Sequence, residues 1–422
     1  MSAFSSNWLK LQSQLPTSKR KGARLPKGKR KSEDAEGEAQ QFSKKNKRGN
    51  AETAQVKKGK KNRKAPSLTS MIQLELGRWE IMDSLVEAYD QHVSPVLGGN
   101  STLRNEQKRK RHLESWLWSR LFFPLLPLGE PTTTAISAGD EALQRKLCNA
   151  GLSKKEARRR IERLATVLSS EIPSSTEKIV VQVEENTMTT LKCGKRQVQL
   201  LREYFAKLKS LTQRKAEDFN QAAFLVLARY RILQVHDKGG GNQGAIPPAV
   251  FNALREWWPH SEPVEAFASP LNTLAGKGSY HSAFSDTDRI FGSRGSFFDS
   301  SFEEGLVEVN PPFDEYLVLR AANFCRSCLE EAELGQKSLA FVIIIPETDW
   351  PGHAAFLQSK FKKWSLSLPS GSHFYQVGNQ HVNRQRSYPA SRNTTVLLLA
   401  SPMIKKTKLL RHRIDEAFRL RP

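Results

Sequence analysis

Two hydrophobic rhythms divide the chain. Between Ser70 and His92, Leu74, Leu76, Trp79, Ile81, Met82, Leu85, Val86 and Tyr89 recur close to a 3.6-residue period, which predicts an amphipathic helix. Similar spacing predicts helices over Arg109–Phe122, Ala138–Ser169, Arg196–Leu211, Ala216–Leu233 and Pro247–Trp258, the last with proline near its start. The alternation in Lys178–Glu184 (KIVVQVE) predicts one short strand among them. Residues 68–260 are therefore expected to form a mainly helical domain.

After about residue 260 the apolar residues bunch into strand-length runs: Val264–Ala268, Gly305–Val309, Leu339–Ile345, His373–Val377 and Thr394–Ala400. Helical patterns at Phe313–Glu331 and His353–Lys362 lie between them. Strands alternating with helices predict a mainly parallel α/β sheet with ligands at its carboxyl ends. Residues 378–393 are rich in Gly, Asn, Arg and Pro and do not read as a crossover helix, so the last strands should close the sheet antiparallel. The expected fold is thus a Rossmann-like α/β domain over 261–422 packed on the helical domain.

Charge changes the picture at one end. Net charge is +23 from 66 Lys/Arg and 43 Asp/Glu, and residues 1–67 hold 19 of the basic and only 5 of the acidic residues. Three basic clusters, Lys19–Lys31, Lys44–Arg48 and Lys57–Lys64, are separated by little that could be buried. Ordering such a segment costs more entropy than burial returns, so a disordered tail is expected. It suits a nuclear or nucleolar address and nonspecific affinity for polyanions. No apolar run approaches the roughly 20 residues of a membrane span, and no apolar signal core opens the chain. The four cysteines make no disulfide framework. Cys325 and Cys328 form a C-x-x-C within a helical pattern, but no second pair completes a zinc set, and the nine histidines show no H-E-x-x-H, so no metal is expected. The run from Gly239 to Gly244 lacks the Lys-Ser/Thr of a P-loop; it reads as a hinge or as a substrate-facing loop.

The candidate chemistry lies in Gly305–Phe313 (GLVEVNPPF). A β-branched strand runs into Asn310-Pro311-Pro312-Phe313. Prolines donate no backbone hydrogen bond and hold the chain extended, while their carbonyls can accept. With the Asn310 side-chain oxygen, those carbonyls can hold both N–H groups of a ring amine and leave its lone pair aimed at a methyl donor. Phe313 offers a face on which a planar base can stack. A second segment, Glu262–Asn272, is a strand followed by a turn of small residues where a cofactor could meet open backbone.

Asn310–Phe313 resembles the (Asn/Asp)-Pro-Pro-aromatic motif of amino-methyltransferases. Together with Glu265–Asn272 (EAFASPLN), Ala283–Ser293 (AFSDTDRIFGS), Gly244–Phe251, His373–His381 and Asn393–Leu399 it is similar to the phosphorylated-CTD-interacting factor family over roughly residues 70–400. The resemblance implies S-adenosylmethionine-dependent methylation of adenosine N6 in RNA, at the 2′-O-methyladenosine beside a 7-methylguanosine cap. It implies catalytic roles for Asn310, Pro311, Pro312 and Phe313. Glu265, Phe267, Ala268, Ser269, Pro270 and Asn272 are implied at the cofactor turn, with Asp286 and Asp288 as carboxylates that could hold a ribose or the methionine ammonium. Animal members begin with a WW domain; the tail here has only Trp8, so recruitment to RNA polymerase II by that route is not expected. The expected partner is capped RNA, with no membrane and no second copy. The alternatives are adenine methylation on DNA or internal RNA, methylation of a glutamine amide, and a catalytically silent RNA-binding protein.

Overall fold

Six strands form the central sheet, in the order β5-β4-β6-β7-β11-β8. They are β4 (Val264–Ala268), β5 (Tyr280–Ser282), β6 (Gly305–Val309), β7 (Leu339–Pro346), β8 (Lys362–Leu368) and β11 (Thr394–Ala400). β5, β4, β6 and β7 pair parallel, and β11 lies antiparallel between β7 and β8. The computed structural model describes residues 66–97, 112–117, 138–173, 179–185, 187–212, 214–233, 244–384 and 387–420. The basic tail up to residue 65, most of Arg109–Phe122 and the glycine run 239–243 fall outside them.

Both faces of the sheet are covered, which is why β7 (LAFVIIIP) and β11 (TTVLLLA) are buried at every position. On one face Leu306, Val342, Ile344, Val396 and Leu398 pack with Val250, Phe251 and Leu254 of α6 (Pro248–Trp257) and Leu410, Ile414 and Phe418 of α9 (Lys408–Arg419). On the other, Val307, Val309, Phe341, Ile343 and Leu399 meet Val318, Ala321, Cys325 and Leu329 of α7 (Glu315–Leu334) and Phe356 of α8 (Pro351–Leu357). Truncating one such residue, Ile343 for instance, to alanine costs about 2–5 kcal/mol. Cys325 and Cys328 are packing residues of α7, both buried against this second core. Gly352 lets α8 approach α7 closely: a Cβ there would sit 2.5 Å from Leu319 N.

The helices before the sheet are α1 (Leu68–His92), α2 (Ala138–Asn149), α3 (Lys154–Leu168), α4 (Arg202–Leu211) and α5 (Ala216–Leu233). Ser67 caps α1, accepting from Ser70 N at 3.1 Å. Three expectations for this region are corrected. Ala138–Ser169 is two helices, broken where Gly151 turns to φ 102°. Arg196–Leu211 begins as a strand, β3 (Arg196–Leu201), before α4; its inward Val198 and Leu200 alternate with exposed Gln197 and Gln199. β3 joins β1 (Gln182–Glu185) and β2 (Met188–Cys193) in an antiparallel three-stranded sheet, where a single strand was expected.

Two corrections fall near the carboxyl end. His353–Lys362 is not one helix: α8 stops at Leu357, and KKWSLSL starts β8 at Lys362, with only its inward positions buried. The His373–Val377 run does not join the main sheet. It gives β9 (Phe374–Gln376), which pairs antiparallel with β10 (Ser387–Pro389). The expected antiparallel closure is present in β11, which sits inside the sheet with β8 at the edge.

Candidate active site

The carboxyl ends of β4 and β6 lie side by side, because the strands pair parallel with Val264 opposite Val307 and Glu265 opposite Glu308. The turn after β4 and the Asn-Pro-Pro-Phe segment after β6 therefore open at one sheet edge. Asn310 is 7% exposed. Its amide nitrogen donates to Gly244 O at 3.4 Å, and its Oδ1, buried, has no hydrogen-bond partner. The two proline carbonyls are not equivalent. Pro312 O accepts Asp314 N at 2.7 Å, while Pro311 O accepts no hydrogen bond from the described residues. Two acceptors thus remain, Asn310 Oδ1 and Pro311 O. Phe313 is half-buried, its ring edge-on to Tyr375 at 6.1 Å.

Local chemistry holds this segment. Two prolines end β6, and Asp314 then caps α7, its Oδ1 accepting from Tyr316 N (3.1 Å) and Leu317 N (3.0 Å). Tyr375 hydroxyl lies 3.0 Å from Thr394 Oγ1, and His373 Nε2 reaches the same oxygen at 2.8 Å.

The turn after β4 is organised by Glu265. Its Oε2 accepts from Thr273 Oγ1 (2.5 Å), Leu274 N (2.8 Å) and Ala275 N (2.7 Å). Asn272 Oδ1 closes the turn by accepting from Ser269 N (2.7 Å) and Ser269 Oγ (2.9 Å). Ser269 and Pro270 are buried, whereas Phe267, Ala268 and Asn272 are half-buried at the strand end. The Phe267 ring rests against Phe297 and Phe298 at 5.2 and 5.7 Å.

Buried charge surrounds these ends. Burial pushes the Glu265 carboxyl upward against its hydrogen bonds and the nearby Lys207. Burial lowers Lys207, on α4, to about 8, opposed by Glu265; its Nζ donates to Leu271 O at 3.3 Å. Glu308 lies on the same strand face as Asn310, two residues away. Burial first, and the charge of Glu265 second, raise it well above the glutamate range, and its Oε1 has no hydrogen-bond partner. Burial, with Lys207 adding to it, drops His381 to about 4, so the ring is neutral; its Nδ1 too lacks a hydrogen-bond partner. Glu308, Lys207 and the Gly244 carbonyl were not singled out from sequence. An acid inside an otherwise apolar strand, GLVEV, is a signal that could have found the first.

Asp286 and Asp288 contact α5. Arg229 Nη2 reaches Asp286 Oδ2 at 2.9 Å; burial raises Asp286, but the guanidinium outweighs it and holds the carboxyl low. Asp288 accepts from Tyr230 OH at 2.7 Å and Thr287 Oγ1 at 2.8 Å, and burial raises it to about 6 against those bonds. Arg229 also grips the fully buried Glu75 of α1 with Nε–Oε1 and Nη2–Oε2 contacts of 2.8 Å each. Among the described residues no group of three His, Cys, Asp or Glu could hold a metal, and no helix is long and apolar enough to cross a membrane.

A family profile described as "Phosphorylated CTD interacting factor 1 WW domain" matches residues 200–378, from the end of β3 to just past β9. Two curated relatives, from Homo sapiens and Mus musculus, are each named "mRNA (2'-O-methyladenosine-N(6)-)-methyltransferase". Each is 35% identical over 228 residues, 51% of this chain and 31% of the relative, so the matched region spans about a third of their length. The profile window holds Lys207, Glu265, Glu308, the Asn310–Phe313 segment and Tyr375. With that segment at the end of a parallel strand and this similarity around it, residues 200–378 are similar to the phosphorylated-CTD-interacting factor family.

Proposed function

We propose that the chain is an S-adenosylmethionine-dependent methyltransferase acting on the N6 amine of adenosine in RNA, at the 2′-O-methyladenosine beside a 7-methylguanosine cap. The observation that carries the reading is the pair of unused acceptors at the end of β6, Asn310 Oδ1 and Pro311 O. A buried oxygen without a donor is costly, and an amine with two N–H groups satisfies both acceptors at once. The name of the relatives, which specifies this nucleoside, supports the substrate.

The cofactor would supply an already activated methyl group, so no covalent nucleophile is needed. Phe267, Ala268 and Asn272 would hold it; their half-buried position at the end of β4 supports this. Asn310 and Pro311 orient the amine lone pair, and their oxygens stabilise positive charge growing on nitrogen. Phe313 carries the base plane. Neither an amide nor a proline carbonyl retains a proton at neutral pH, so the amine proton leaves to water. The strand order supports a Rossmann-like core: four parallel strands, then an antiparallel strand inserted before the edge. The basic tail is proposed to direct the protein to the nucleus and to add salt-sensitive RNA affinity.

Labelled-methyl transfer tests the reading. Capped RNA starting with 2′-O-methyladenosine should accept label; the same RNA starting with guanosine, uncapped RNA, DNA and protein should not. Equal transfer to uncapped RNA removes the cap from the reading, and transfer to none removes the activity.

A further inference from the structure

Between β3, α5 and the turn after β9 lies a cleft of about 350 Å3 that the proposed reaction does not use. Gln197 and Gln199 reach it from β3, Leu227 and Arg231 from α5, and Asn379 and His381 from the turn after β9. Its size falls within the range of small-ligand pockets. The turn forming one wall is pinned: Leu201 N donates to His381 O at 2.7 Å, and Tyr204 OH to Gln380 Oε1 at 2.9 Å. His381 is only 6% exposed, yet its Nδ1 has no hydrogen-bond partner, the mark of a polar group awaiting a ligand.

The chemistry of the lining selects the ligand. Amide side chains offer donors and acceptors together, as the edge of a nucleobase requires. Among the described lining residues Arg231 carries the charge, and a guanidinium suits a phosphate oxygen. Among the described residues no carboxylate and no Phe, Tyr or Trp lines the cleft, so a cationic base such as 7-methylguanine finds no countercharge among them. The same neighbourhood connects to the reacting edge, because Lys207 acts electrostatically on both His381 and Glu265.

We propose that this cleft is a second nucleotide subsite that takes the nucleotide on the 3′ side of the target adenosine, with its uncharged base edge on the amides and His381 and its phosphate on Arg231. The inference rests on the RNA reading of the Asn310–Phe313 site, in which the 5′ neighbour is the cationic cap base.

Crosslinking tests it without requiring turnover. In a capped RNA carrying 4-thiouridine directly 3′ of the adenosine, irradiation should attach the RNA to peptides containing residues 197–199 or 379–382. Crosslinks found only elsewhere overturn the subsite. Kinetics give a second readout. A capped adenosine with several following nucleotides should show a KM roughly tenfold below that of one with none, and Arg231→Ala should abolish that advantage while leaving kcat on the short substrate unchanged. Equal KM for both substrates in the unaltered protein overturns the subsite while the methyltransferase reading stands. Crosslinks in the cleft without methylation of any RNA leave the subsite and remove the reaction.

Discussion

Glu265 and Glu308 stand opposite each other across β4 and β6, at 4% and 3% exposure, and the sheet register forces the two carboxyls together. Glu265 is held by three donors; Glu308 Oε1 has none. The second acid is therefore the one that stays protonated.

That asymmetry predicts a pH-dependent stability. Glu308 binds its proton more tightly folded than unfolded, so the folded state gains from the proton at low pH. That gain is lost as pH rises above the unfolded glutamate value of about 4.3. Glu308→Gln keeps the shape and removes the titration. Its melting temperature should exceed that of the parent by a few degrees at pH 7–8, and the gap should close near pH 4. Parallel melting curves across that range check it; a constant offset contradicts the assignment.

Asn310→Ala should lower single-turnover methylation of capped RNA roughly a hundredfold, about 3 kcal/mol, because one preorganised acceptor at the reacting nitrogen is gone. Cofactor affinity measured by calorimetry should change little. A near-normal rate would make Asn310 a turn residue.

Phe313→Ala should weaken RNA binding as well as turnover, by about 1–3 kcal/mol in affinity, as loss of one base stack does. Anisotropy titrations with labelled capped RNA check it. Because Phe313 also touches Tyr375, melting of the variant separates stacking on RNA from packing in the core.

Much of this arrangement was readable from sequence, and the exceptions share a cause. The Asn310–Phe313 segment announces itself because strand, prolines and aromatic are contiguous, and β7 and the VLLLA of β11 stand out as unbroken apolar runs. β3 was hidden, because Gln197–Leu201 satisfies both periods until the pairing with β2 decides. Lys207 beside Glu265, Tyr375 beside Phe313 and Arg229 between Glu75 and Asp286 are separated in sequence by 58, 62 and 154 or 57 positions. No local pattern encodes such meetings. The contacts that Asp286 and Asp288 make with Arg229 and Tyr230 of α5 are likewise invisible in the local sequence.

Arg229→Met should destabilise the protein by about 3–5 kcal/mol, since Glu75 would keep a buried charge with only Arg78 beside it at 2.9 Å. The double variant Glu75→Gln with Arg229→Met should recover most of that loss. Denaturant midpoints of the three proteins check it; an unimproved double variant would mean that Arg229 acts mainly through Asp286.

Removing residues 1–67 should reduce nuclear accumulation and flatten the salt dependence of RNA binding, while saturating capped RNA restores turnover. Fluorescence imaging and binding at several salt concentrations read the two effects separately.

Asp314 has a consequence for how this chemistry can be tuned. Its N–H fastens Pro312, its carboxylate fastens the first turn of α7, and two stiff proline rings lie between that anchor and Asn310. The acceptors are thereby mounted on the helix like a bit on a shaft. A change in the seat of α7, such as a larger residue at Gly352, would swing both oxygens together relative to the end of β4. Reaction rate could then drift by alignment alone, from a position that touches neither the RNA nor the cofactor, with the choice of amine untouched.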